Sequence, residues 1–161
     1  LQLGPFGAYF LDRGEGTELS REEAHDLVEK LAKLGLIFTT ENVVQANHQI
    51  ICCCCECCCS LLRGMTRFLD KNESCTAKSN YIAQVDEILC KGCGLCVDRC
   101  VFDAISLTDK KAQIITNHCY GCGSCAVTCP TEAIKLHRKE RTKIFDNFKE
   151  LIDTIYEENR T

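Results

Sequence analysis

Cys90-Lys91-Gly92-Cys93-Gly94-Leu95-Cys96-Val97-Asp98-Arg99-Cys100 is answered by Cys119-Tyr120-Gly121-Cys122-Gly123-Ser124-Cys125-Ala126-Val127-Thr128-Cys129-Pro130. Every cysteine of the second run lies 29 positions after its counterpart in the first. A sulfur-ligated iron cluster needs four thiolates that converge. Gaps of two residues let three of them wrap one face of a cubane, and the fourth arrives from elsewhere. In paired runs of this spacing the fourth cysteine serves the other cluster. The expected ligand sets are therefore Cys90, Cys93, Cys96 and Cys129 for one 4Fe–4S cluster, and Cys119, Cys122, Cys125 and Cys100 for the other.

Structural zinc takes pairs of ligand pairs rather than three evenly spaced ligands plus one. A lone Cys-x-x-Cys would be ambiguous between zinc and thiol redox chemistry; two complete runs in register are not. Gly92, Gly94, Gly121 and Gly123 stand between ligands. There no side chain crowds the metal and unusual backbone angles cost little. Backbone N–H groups in such turns can point at sulfur and tune the potential.

Residues 80–136 resemble a bacterial two-cluster ferredoxin domain. Asn80 to Asp86 resembles its entering strand, and Asp103–Leu107 and Glu132–Leu136 resemble the strands that leave each cluster. Cys129 is followed by Pro130, whereas Cys100 is followed by Val101, where that family usually has proline. The resemblance implies an α+β fold with two pseudo-symmetric halves, two 4Fe–4S clusters and single-electron transfer.

Eight further cysteines lie outside the two runs. Cys52, Cys53, Cys54, Cys55, Cys57, Cys58 and Cys59 are packed into one segment, and Cys75 follows. Adjacent side chains point different ways in any regular backbone. Consecutive thiols are thus expected to face different directions or different metals. All eight are candidate ligands of an additional iron–sulfur centre, because soft thiolates beside a ferredoxin make iron–sulfur the natural choice. Metallothionein-like storage of zinc or copper, a disulfide between neighbouring cysteines, and plain core lining are the competing readings. Ile51 to Cys59 also resembles an Ile-Cys-Asn-Cys-Cys-x-Cys-Cys-Cys stretch of longer iron–sulfur proteins of anaerobes, with Cys53 in place of the asparagine. That resemblance extends to Ser79-Asn80-Tyr81 and to the helix before the segment. It implies a preceding N-terminal part, in keeping with a first residue that is Leu1 rather than methionine.

The 161 residues carry 16 cysteines, two prolines and a net charge of -4, with a pI near 5.6. Nothing in that balance suggests nucleic acid or an anionic membrane. No apolar run is long enough to span a bilayer, and no secretory signal opens the chain. Ligand thiolates must stay reduced, so a reducing cytoplasm, in an anaerobe, is expected rather than a secreted disulfide framework.

Three regions are expected: a helical, cysteine-rich part over 1–78, the two-cluster domain over 79–137, and a C-terminal amphipathic helix over 138–161. Residues 1–18 read as a short helix or turn followed by a loop. Ser20-x-x-Glu23 is a capping box that opens a helix ending at Gly35. Leu36–Thr40 reads as a strand. Ser60 is expected to cap a helix over 60–69, with Leu61, Leu62, Met65, Phe68 and Leu69 on one face. Glu140–Asn159 has a second apolar stripe, Ile144, Phe145, Phe148, Leu151, Ile152 and Ile155. His48, four residues before Cys52, is a candidate ligand or hydrogen-bond partner of the metal site. His118, next to Cys119, is at most a tuning residue.

Electron transfer to a redox partner protein, or to a missing N-terminal domain, is the leading expectation. A reductase whose active centre is the extra cluster is the alternative. No dinucleotide fingerprint, phosphate loop or acid–base constellation is present, and no catalytic residue is assigned.

Overall fold

The computed structural model describes residues 1–41, 43–44, 49–68, 76–139 and 145–158. Expectations for His48, Leu69, Cys75 and Ile144 lie outside the described residues. Among the described residues the architecture is α+β, with three small antiparallel two-stranded sheets and several helices.

The first helix, α1 (Gly4–Asp12), is followed by α2 (Arg21–Lys33). At the start of α2 the Glu23 N–H donates to Ser20 Oγ at 3.2 Å, and the Ser20 N–H donates to Glu23 Oε2 at 2.8 Å. This is the expected capping box, which satisfies two donors that the first turn leaves orphaned. At the other end Gly35 takes a left-handed φ of 89°, and the N–H of Leu36 reaches back to Leu31 O at 3.1 Å. Gly35 N–H to Ala32 O at 2.9 Å completes a Schellman closure.

Next comes the hairpin of β1 (Ile37–Thr40) and β2 (Ile51–Cys54), paired Ile37 with Cys54, Phe38 with Cys53 and Thr39 with Cys52. The cysteine-rich stretch thus begins as a strand. It then turns into α3 (Ser60–Arg63), which continues as a π-helical turn over Gly64–Phe68. The N-cap of α3 is Cys59, not Ser60. Ser60 is already helical, so it does not cap as expected. The Thr66 hydroxyl donates to Leu62 O at 2.9 Å, which gives the wide turn a side-chain hydrogen bond. Leu62 and Met65 are buried, 2% and 8% exposed.

The ferredoxin-like part follows. The strand β3 (Tyr81–Val85) pairs with β6 (Ile134–Arg138), and β4 (Ile105–Thr108) pairs with β5 (Lys111–Ile114). Two five-residue helices, α4 (Leu95–Arg99) and α5 (Ser124–Thr128), pack on one another. The core here is built from small side chains. Ala83, Ala104, Ala112 and Ala133 are 4%, 2%, 4% and 1% exposed, and they surround Cys90, Cys96, Cys119 and Cys125. Alanine at these positions buries the backbone while leaving space beside the sulfurs.

The C-terminal helix α6 (Phe148–Glu158) starts later than the apolar stripe implies. Phe145 forms a parallel bridge with Val43 instead of helix, and both are buried, at 4% and 0% exposure. Asn147 Oδ1 accepts the Glu150 N–H at 3.0 Å and opens the helix. Leu151 and Ile155 face inward toward β1 and β3, whereas Phe148, Ile152 and Tyr156 are 54%, 49% and 68% exposed.

Ser20→Ala should destabilise the chain by about 0.5–2 kcal/mol, read as a lower urea midpoint at unchanged slope. Hydrogen bonds from the Ser20 backbone and side chain hold the Glu23 carboxyl below the ordinary carboxylate range. Its contribution is therefore present at neutral pH and is lost as pH falls through the folded value. The difference between wild type and Glu23→Ala should shrink in acid.

Candidate metal centres

The two cysteine runs fold alike. In each, the second glycine precedes a helix and is left-handed, Gly94 at φ 85° and Gly123 at φ 84°. The first glycines, Gly92 and Gly121, are left-handed as well, with φ 66° and 68°. A Cβ on Gly92 would run into the Lys110 carbonyl, and one on Gly121 into the Tyr81 carbonyl and Ser79 Oγ. Three residues beyond the last cysteine of each run, Asp103 and Glu132 also take positive φ, 50° and 52°.

Two cavities result. One, of about 330 Å³, is lined by Cys90, Cys93, Cys96 and Cys129. The other, of about 360 Å³, is lined by Cys119, Cys122, Cys125 and Cys100. Each wall thus includes three cysteines of one run and the last cysteine of the other. All fifteen described cysteines are free thiols. A hollow ringed by four thiols and otherwise mostly apolar residues suits a sulfur-ligated cluster in the chemistry of its donors.

Backbone donors already point at sulfur. Ala112 N–H reaches Cys90 Sγ at 3.4 Å, and Ala104 N–H reaches Cys100 Sγ at 3.3 Å. Burial, with the neighbouring thiols Cys122, Cys100 and Cys119 adding to it, pushes the Cys125 thiol up to about 12. Burial likewise raises Cys96 and Cys100. Burial acts upward on Cys129 too, but hydrogen bonds from the Thr131 side chain and from the backbones of Thr131, Ala133 and Ile134 bring it below the ordinary thiol value. Thiols held protonated by burial lose their protons to a bound metal, so metal loading of these cavities releases protons.

Two contributors escaped the sequence. Lys111 Nζ donates to Glu87 O at 2.6 Å and to Cys90 O at 2.7 Å, which sets a cation beside the first cavity. It sits on β5, a strand with no sequence signal of its own. Arg99 donates from Nε to Thr128 Oγ1 at 3.0 Å, and from its terminal nitrogens to Leu34 O at 3.2 Å and Lys33 O at 3.4 Å. One guanidinium thereby joins α4, α5 and the C-terminal end of α2, where the helix dipole favours a cation. Only the proximity of Arg99 to two ligand candidates hinted at a role.

The upstream cysteines divide. Cys55, Cys57 and Cys58 come together in a turn. Cys54 lies against Cys59 and the Thr39 side chain, and burial first, then Cys59, pushes its thiol up to about 11. Cys52 is exposed, and Cys53 alternates to the other side of β2. A larger hollow of about 1290 Å³ has Phe38 and Thr39 of β1 on one side and Tyr81, Tyr120 and Cys122 on the other. The cysteine hairpin therefore borders the second quartet rather than the first. His118 Nδ1 is buried without a hydrogen-bond partner among the described residues, one residue before Cys119.

Gly121→Ala should drive the Tyr81 carbonyl out of place and open the second cavity. Iron per chain is expected to fall from about eight toward about four, measured on anaerobically purified protein. An unchanged iron content would show that the close approach is dispensable.

No curated protein matches this chain. Residues 89–133 match the family described as 4Fe-4S dicluster domain. That segment holds all eight cysteines of the two cavities, so this part of the chain is a 4Fe–4S dicluster domain.

Proposed function

We propose that the chain is an iron–sulfur electron-transfer protein or subunit that passes single electrons through two 4Fe–4S clusters. Cys90, Cys93, Cys96 and Cys129 hold the first, and Cys119, Cys122, Cys125 and Cys100 hold the second. The carrying observation is the pair of four-cysteine cavities within the dicluster match. A 4Fe–4S cluster takes up and releases one electron at a potential set by its surroundings. The chain supplies those surroundings. Ala83, Ala104, Ala112 and Ala133 keep water out, and the N–H groups of Ala104 and Ala112 stabilise negative charge on sulfur. Phe102 and Tyr120, with ring centroids 4.5 Å apart, shield the second site.

The cysteine segment from Cys52 to Cys59 holds a further metal centre, an iron–sulfur one in this reading, on the side of the second cluster. Support comes from the hollow that β1 shares with Cys122, since β2 beside β1 carries Cys52 to Cys54. At the other end Cys93 is exposed, with Ile88 at 93% and Leu95 at 45% exposure nearby in the chain. That rim suits hand-over to a redox partner protein, whose docking brings the first site within electron-transfer range. Among the described residues no helix is long and apolar enough to cross a membrane. The free thiols fit a reducing cytoplasm, in an anaerobe.

Crossed ligation makes a specific pattern in double variants. Cys90→Ala/Cys129→Ala removes two ligands from one site and should keep about four irons and one reduced-cluster spectrum. Cys119→Ala/Cys129→Ala damages both sites and should keep few irons. Equal losses in the two doubles would refute crossed ligation. Stoichiometric zinc in place of iron in the wild-type chain would refute electron transfer itself.

A further inference from the structure

Cys55 Sγ lies 2.6 Å from Cys57 Sγ and 2.9 Å from Cys58 Sγ, and the latter two are 3.5 Å apart. Among the described residues no other three His, Cys, Asp or Glu side chains bring their ligand atoms within 4.8 Å of one another. The eight dicluster cysteines are all described, and no three of them meet that limit. The contrast has a chemical meaning. A cubane seats each thiolate on a different iron, so its cysteine sulfurs stand well apart. Thiolates that share one tetrahedral ion, each about 2.3 Å from it, stand about 3.8 Å from each other. Spreading the Cys55 pairs by about 1 Å reaches that spacing, a smaller change than the separation of a cubane's ligands would need.

The backbone supports the smaller site. The turn leaves β2 and is closed by the Cys59 N–H donating to Cys55 O at 3.1 Å, just ahead of α3. Cys57 and Cys58 are exposed and Cys55 is half-buried, so one side of the group faces water. Two other described thiols are engaged elsewhere: Cys54 lies against Cys59, and Cys53 is paired opposite Phe38 in the hairpin.

We propose that Cys55, Cys57 and Cys58 form a mononuclear thiolate site for one soft divalent cation of the zinc type, with its fourth position open to solvent or to an exogenous ligand. The three thiols release their protons as the ion binds. The site is independent of the two-cluster part of the electron-transfer reading, which rests on other cysteines. It withdraws these three cysteines from the further iron–sulfur centre, which would draw on the other upstream candidates. An open corner makes this a place where a small sulfur or nitrogen ligand can reach the metal, as in three-ligand zinc sites.

The test uses the full chain, purified without oxygen and with its iron in place. Zinc or cobalt(II) alone is added and excess is removed by gel filtration. One added ion per chain is expected, with a sulfur-to-cobalt absorption band for the cobalt form. The Cys57→Ser/Cys58→Ser variant should bind at least about tenfold more weakly while its iron and sulfide stay unchanged. Unchanged iron doubles as proof that the variant folds. Cys53→Ser should bind like wild type. Loss of iron and sulfide in the double variant would overturn the proposal in favour of a cluster on the turn. Zinc binding that survives the double substitution would overturn it, and so would a disulfide within the turn under reducing purification. None of these outcomes touches the eight-cysteine pattern that tests electron transfer.

Discussion

Each four-cysteine cavity borrows one wall from the other half of its domain. Cys129 closes the cavity of the first run and Cys100 closes that of the second. The helices that deliver these two residues, α4 and α5, must therefore lie side by side, and they do. The pairing of β3 with β6 then joins the start of the domain to its end. With alanines as the principal core residues, this small domain has little carbon to hold it together. A metal centre in each cavity would act as the staple that a lean core needs.

Several polar contacts tie the N-terminal part to this arrangement. Arg99 binds the last carbonyls of α2 while its Nε reaches Thr128, the residue 29 positions later in the repeat. Gly35 leaves space for that guanidinium, since a Cβ there would strike it. Ser79 and Lys78 add contacts to Gly121 O and Asn117 O, at 3.1 Å and 2.8 Å. The linker before β3 is thereby held against the loop of the second run.

Much of this was legible in the sequence because metal ligation and capping are written in short-range spacing. The offset of 29, the Ser20–Glu23 box and the Gly35 stop each need only a few residues to be recognised. In the β4–β5 hairpin the first strand was expected from the ferredoxin resemblance, but β5 and the turn were not legible. Its turn is Asp109-Lys110, both left-handed at φ 49° and 59°, where such turns favour Asn-Gly. Tertiary contacts rather than turn chemistry hold it, including the fit of Lys110 against Gly92. The start of α6 differs for a related reason: Phe145 continues the apolar stripe, but its backbone forms a bridge to Val43, with Phe145 O accepting the Val44 N–H at 2.8 Å. The division of the upstream cysteines was hidden because seven nearly consecutive thiols carry no periodicity. The backbone change from strand to turn sorts them.

A chain made from its N-terminal end exposes a last consequence. When Cys100 has left the ribosome, the first run is complete in sequence, yet its cavity still lacks the side that Cys129 provides. Neither compartment can be finished until almost all of the domain has been synthesised. Nascent chains therefore carry up to seven thiols of the two runs before residue 129 has been made, and a metal centre in the first cavity would be completed only after that point.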